Sequence, residues 1–215
     1  MADIKKVMAA AEANNMQVFY AEKKEDVNDI VKSILKEGDK VAVGGSVSLK
    51  ECGVLDLLRC GKYEFLDRYK EGLNQDDIKQ IYIDSFSSDV YFSSVNAITE
   101  KGELYNVDGT GNRVAALLYG PESVILVVGK NKIVKDIDEA VLRVKKIAAP
   151  MNTKRLSFDT YCKNTGECLG VFENDSNICS GCKSEMRICA DYVIMAHQRV
   201  KNRIKIIFVN EDLGY

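Results

Sequence analysis

One histidine, no tryptophan and two prolines in 215 residues remove much chemistry before any motif is read. A His-rich metal site or a Ser-His-Asp triad would have to be built around His197, and nothing near it in sequence resembles a nucleophile motif. No apolar stretch approaches the ~20 residues of a membrane span. The start, Met1 to Lys6, leads into an amphipathic segment rather than a secretory leader, so a cytoplasmic chain is expected. Neither sign of charge is in excess. Thirty basic residues face 32 acidic ones, a net charge of −2, which offers no global field to nucleic acid or to an anionic membrane.

What the chain does have is cysteine, unevenly spread. Five of its seven cysteines fall in the run Cys162-x5-Cys168-x10-Cys179-x2-Cys182-x6-Cys189, with Gly166, Gly170 and Gly181 between them. In a reducing compartment an odd number of thiols does not describe a disulfide framework. Thiolates on a flexible loop can instead converge on a soft metal or an iron–sulfur cluster. Four ligands close such a site, and five candidates leave one over. No His lies among them, which excludes a mixed two-cysteine, two-histidine zinc site but leaves an all-cysteine zinc open. Cys52 and Cys60, in an apolar helical run, read as ordinary buried side chains.

The first two-thirds of the chain alternates helical and extended patterns. Helices are expected over residues 3–14, over 26–36 with Val27, Ile30, Val31 and Ile34 on one face, and over 48–59. Another should start at an Asp136–Glu139 capping box and end at Pro150. Strands are expected at 17–20, 40–43, 64–66, 90–92, 103–107, 123–128 and 203–209. The run Val124-Ile125-Leu126-Val127-Val128 does not alternate, as befits a central strand covered on both faces. Such alternation implies parallel pairing in a three-layer α/β domain. Residues 1–215 read as one domain, with a Cys-rich loop at 160–190 inserted before the last strand.

Three segments could carry chemistry beside the thiols. Gly44-Gly45-Ser46 ends a strand just before a helix, where glycines let a ligand approach the backbone, or where Ser46 is simply a cap. It lacks the Lys of a P-loop and the third Gly of a dinucleotide fingerprint. The polar run from Asn96 to Arg113 holds turns at Lys101-Gly102 and Asp108-Gly109. Asn96, Asp108, Gly109, Gly111, Asn112 and Arg113 are its candidate ligand-binding residues. Arg113 would clamp a carboxylate or phosphate, and Glu100 would act as base or nucleophile. Lys130, at the end of the buried strand, occupies the rim where open α/β sheets bind ligands, and Asn152 and Arg155 are placed near it.

The stretch from Asn96 to Val134 and the segment Arg143 to Leu156 resemble the LUD domain, also called the lactate-utilization protein C-like family. The Gly-Gly-Ser segment, the Cys-x2-Cys-x6-Cys tail and the ending Asn210 to Tyr215 fit the same pattern. The resemblance implies a Rossmann-like three-layer sandwich of the NagB/RpiA/CoA-transferase superfamily type. It also implies a link to lactate oxidation beside iron–sulfur oxidoreductase subunits. The tail of that family resembles Cys-x5-Cys-x2-Cys-x6-Cys, whereas here Leu169 to Ile178 separates Cys168 from Cys179. Cys162, Cys182 and Cys189 are then expected ligands, with Cys168 or Cys179 as the fourth. The turn Thr99-Glu100-Lys101-Gly102 is similar to the Glu-bearing turn of CoA-transferases.

Two readings follow. In one, the protein binds an iron–sulfur cluster, of the 4Fe–4S kind, and serves electron transfer or assembly of an oxidising complex. In the other, the loop holds a structural zinc, and the chemistry lies in a sheet-end pocket for a small anionic metabolite such as a carboxylate, sugar phosphate or CoA ester. A scaffolding module without turnover is the plainer third.

Overall fold

The computed structural model describes residues 3–175 and 177–215. Its strands are β1 (Gln17–Ala21), β2 (Lys40–Val43), β3 (Glu64–Leu66), β4 (Val90–Ser93), β5 (Ala97–Thr99), β6 (Leu104–Asp108), β7 (Ser123–Gly129), β8 (Ile133–Val134), β9 (Asp191–Met195) and β10 (Ile204–Val209). Its helices are α1 (Ile4–Ala13), α2 (Val27–Ile34), α3 (Val47–Glu51), α4 (Val54–Leu58), α5 (Gln75–Asp84), α6 (Asn112–Leu118), α7 (Ile137–Arg143), α8 (Ala149–Leu156), α9 (Tyr161–Thr165) and α10 (Leu169–Phe172).

Six strands form a sheet in the order β1-β10-β7-β4-β2-β3, parallel at every pairing. Successive side chains of a strand point to opposite faces, and β7 shows why its run is apolar throughout. Val124, Leu126 and Val128 pack with Ile204, Ile206 and Phe208 of β10 against α1 and α6. Ile125 and Val127 join Ile207 and Val209 beneath α2, α3 and α4. Helices therefore cover both faces, giving a Rossmann-like three-layer sandwich. Leu126 is wholly buried, so truncation to Ala would leave a cavity costing about 2–5 kcal/mol.

A second sheet, β8-β5-β6-β9, was not expected from sequence. Its centre is the hairpin β5–β6, turning at Lys101-Gly102 as expected. Gly102 has φ 76°, and a Cβ there would lie 2.7 Å from the backbone nitrogen of Ala11, so the turn docks directly on α1. Ile98 and Leu104 face the main core, while Ala97, Tyr105 and Val107 face α7 and α8. Strand β9 is half exposed and its pattern does not alternate cleanly, which is why it is hard to read locally.

Two helix limits differ from expectation. The helix expected over 48–59 breaks at Gly53, whose φ of 68° is left-handed and cannot continue an α-helix. The helix expected to stop at Pro150 runs on to Leu156. Residues 144–148 form a π turn, which shifts the hydrogen-bond register so that Pro150 falls in the first turn of α8, where a missing N–H costs least.

Candidate functional site

Beyond the carboxyl ends of the parallel strands opens a cleft of about 340 Å³, the usual place for a ligand in such a sheet. Of the residues anticipated, Gly45, Ser46, Asn96, Asp108, Gly109, Asn112 and Arg113 line it. Asn152 and Arg155 of α8 do so too. Gly44 stands just behind: a Cβ there would meet Tyr91 Oη at 2.9 Å and Arg113 Cγ at 3.0 Å, so only glycine lets Arg113 pass. The remaining three lie elsewhere. Gly111 caps α6 with φ 75°, and Lys130 is exposed on the side of Glu22. Glu100, on the hairpin turn, pairs with Lys6 of α1 at 2.7 Å.

The geometry changes the part that Arg113 can play. Nη1 donates to Asn106 Oδ1 (2.8 Å) and to the Ser94 carbonyl (3.3 Å). Nη2 donates to the Val107 carbonyl (2.8 Å) and to Asn96 Oδ1 (3.1 Å). Nε faces Asp108 Oδ2 at 3.5 Å. All five N–H groups are directed at the protein, so Arg113 ties the wall together rather than clamping a ligand. Burial pushes its pKa down, and the Asp108 carboxylate opposes that. Asp108 is likewise engaged, accepting from the Gly109 and Val114 amides at 2.8 and 3.2 Å.

The cations left for a ligand are others. Arg155 contacts only neutral acceptors, Asn152 Oδ1 at 2.7 Å and Tyr215 Oη at 2.6 Å. Arg68 lies over the Tyr82 ring at 4.7 Å. Lys132, which sequence reasoning passed over for Lys130, is 3% exposed and also lines the cleft. A one-turn 3-10 helix over Lys130–Lys132 carries it back under the sheet end. The only local signal was a charge leading straight into the apolar pair Ile133-Val134. With Asp108 neutralised by Arg113, Arg68 and Arg155 make the cleft electropositive, while Lys132 brings an amine whose pKa burial lowers to about 7.

A second, smaller cavity of about 20 Å³ lies beside the cleft. Cys162, Cys168, Cys182 and Cys189 line it, while Cys179 is exposed and outside the lining. The thiol of Cys189 is pushed up to about 12 by burial first, then by the neighbouring Cys162, against the pull of Arg187. Two cations organise the loop through its backbone. Arg187 donates to the carbonyls of Cys179, Cys182 and Cys189. Lys145, in the π turn, donates to those of Asn177 and Ser180. Tyr105 also lines this cavity, and its buried hydroxyl has no hydrogen-bond partner among the described residues. Among the described residues, no three Cys, His, Asp or Glu side chains are gathered tightly around one point.

The two cavities share a wall. Val144, Ala149 and Cys189 border both; Val144 opens the π turn and Ala149 directly follows it. Irregular helical turns of this kind often mark functional positions.

The family model of the LUD domain matches residues 4–209. The chain belongs to the LUD domain family. Nothing among the curated proteins matches it. In structure it is similar to a DUF162 family protein from Deinococcus radiodurans, with a TM-score of 0.53 and 13% identity, covering 96% of this chain and 94% of that one. At that identity the likeness carries the three-layer fold of the LUD domain and no chemistry. Among the described residues no helix is long and apolar enough to cross a membrane.

Proposed function

We propose that this LUD domain binds a small organic anion in the cleft and holds an iron–sulfur cluster of the 4Fe–4S kind through Cys162, Cys168, Cys182 and Cys189. Its setting is cytoplasmic organic-acid metabolism of the lactate-utilization type, beside iron–sulfur oxidoreductase subunits. The observation that carries this reading is the wall shared through Cys189, which brings the four-thiol cavity next to the cleft. A structural metal has no need of that neighbourhood, whereas an electron carrier does.

The donor set fits the group. Four thiols face a cavity whose lining includes two cations, Lys145 and Arg187, and no carboxylate; burial raises the Cys189 thiol, and a bound metal would offset that by deprotonating it. The Tyr105 hydroxyl lacks an acceptor, and a cluster sulfur would provide one. A cluster there would supply one-electron transfer. The residues themselves do the rest: Arg68 and Arg155 attract and orient the anion, while Asp108 and Arg113 keep the wall rigid. The size of the cavity speaks for the second reading, a structural zinc. About 20 Å³ holds a body the size of a water, so a cluster would have to spread the loop.

The deciding experiment is metal and sulfide analysis with a visible spectrum on protein purified without oxygen. Iron, sulfide and a broad band near ~400 nm are expected. Cys182→Ser should abolish the band, and Cys179→Ser should retain it. Stoichiometric zinc in a colourless protein would overturn the cluster and leave the cleft as the seat of function.

A further inference from the structure

The amine of Lys132 is held in an unusual way. Its Nζ contacts Ser94 Oγ at 2.9 Å and Ser48 Oγ at 3.0 Å. Each hydroxyl has already given its own proton away: Ser94 donates to the Val127 carbonyl at 2.6 Å, and Ser48 to the Leu213 carbonyl at 3.3 Å. A hydroxyl has one proton, so both serines can only accept from the lysine. A neutral primary amine has two N–H bonds and one lone pair. Its two N–H bonds match the two serine oxygens, and the lone pair is left over on a residue that lines the cleft. A charged ammonium in the same place would direct its third N–H into the cleft instead of a lone pair.

The surroundings favour the neutral form. Burial, then Arg143 and Arg113, lowers the pKa of Lys132 to about 7, against weaker opposition from Glu51 and Cys52. Arg143 itself is fixed on the carbonyls of Asn131 and Asn96, so it stays nearby as a lasting positive charge. Desolvated lysines beside other cations are those that act as nucleophiles on carbonyl groups.

We infer that Lys132 is an amine nucleophile that condenses with the carbonyl group of a small 2-oxo acid seated in the cleft, forming an imine. The carboxylate of such a compound suits Arg155 or Arg68, neither of which has a carboxylate partner here. In the step a bond forms between Nζ and the carbonyl carbon. The C–O bond breaks, and the oxygen leaves as water. Both hydrogens of that water are those lost by the amine; if the imine takes up a proton, that new N–H donates to one serine. No electrons are exchanged, so no oxidant or reductant is required.

The inference rests on the cleft being a ligand site and is independent of the metal centre. Its test is incubation of the full chain with pyruvate and borohydride, followed by intact mass and peptide mapping, with thermal stabilisation by pyruvate alone measured in parallel. A near-stoichiometric reduced adduct on Lys132, absent from Lys132→Met, is the expected result. Mapping on the native chain locates the adduct even if that variant folds poorly. Stabilisation without an adduct would overturn the imine and leave the anion cleft standing. Adducts scattered over surface lysines would also overturn it. Neither stabilisation nor adduct, with pyruvate or with the anionic aldehyde pyridoxal 5′-phosphate, would sink the cleft reading as well.

Discussion

The cleft and the thiol cavity share a wall but are built by different means. The cleft is set by strand ends and by side chains rooted at the buried centre of the sheet: Lys132 follows β7, Ser94 follows β4, and Arg113 lies in the first turn of α6. The thiol cavity is carried on the connection between α8 and β9, where the regular elements among the described residues are α9 and α10, of 5 and 4 residues. Both regions use the same device, a cation turned on backbone carbonyls rather than on a carboxylate. Arg143 does this in the cleft wall, Lys145 and Arg187 in the loop. In the cleft the device adds to a core that is already rigid. In the loop it is most of what holds the carbonyls in place, so the two regions should fail differently.

The largest effect should come from Arg113→Met. It strands the acceptors Asn96, Asn106, Ser94 and Val107 and leaves Asp108 without its counter-charge, a loss of about 3–5 kcal/mol in global stability by urea unfolding. A change confined to ligand binding would mean that the wall does not need this tie.

Lys132 gives a pH signature next in size. Its folded pKa is below its unfolded one, so the unfolded chain binds more protons between about pH 7 and the ordinary lysine range. Stability should therefore rise with pH across that window, at up to ~1.4 kcal/mol per unit. Lys132→Met should flatten the rise, as read from urea midpoints at both ends of the window. Parallel curves for the two proteins would show that Lys132 is charged in the folded state.

Arg187→Ala sharpens the contrast, because it should act locally. Global stability should fall by only about 1–2 kcal/mol, while metal content drops and limited proteolysis cuts within residues 157–190. Loss of the whole fold instead would make the loop part of the core. Smallest of all is Tyr105→Phe. Removing a hydroxyl with no partner should change the metal-free protein by less than about 1 kcal/mol, in either direction. The same change should shift the midpoint potential of a cluster-loaded protein, and an unmoved potential would remove Tyr105 from the sulfur environment.

Much of the main sheet was legible because its signals are local. The unbroken apolar run of β7, the spacing of Val27 and Val31, and the Asp136 cap each depend on residues close in the chain. The second sheet was half legible: β6 reads as a strand, but its partner β9 is half exposed and follows the whole cysteine loop. The cleft was legible as a neighbourhood and not as chemistry. Gly45, Ser46, Asn96 and Arg113 do meet, yet Arg113 is used up by acceptors that sequence spacing does not display. Glu100 was drawn to the site by its turn, and the docking of that turn on α1 takes it to Lys6 instead.

By itself the sequence determined the α/β class, most of the parallel strands and the crowding of thiols on one loop, since hydrophobic period and residue spacing are properties of neighbouring residues. Tertiary structure alone decided that Lys132 and not Lys130 faces the cleft, that Cys179 is outside the thiol cavity, and that Cys189 belongs to both walls. Lys132 meets Ser48 across 84 residues of sequence. Whether a side chain is buried, satisfied or free depends on such distant partners, and only the packed chain brings them together.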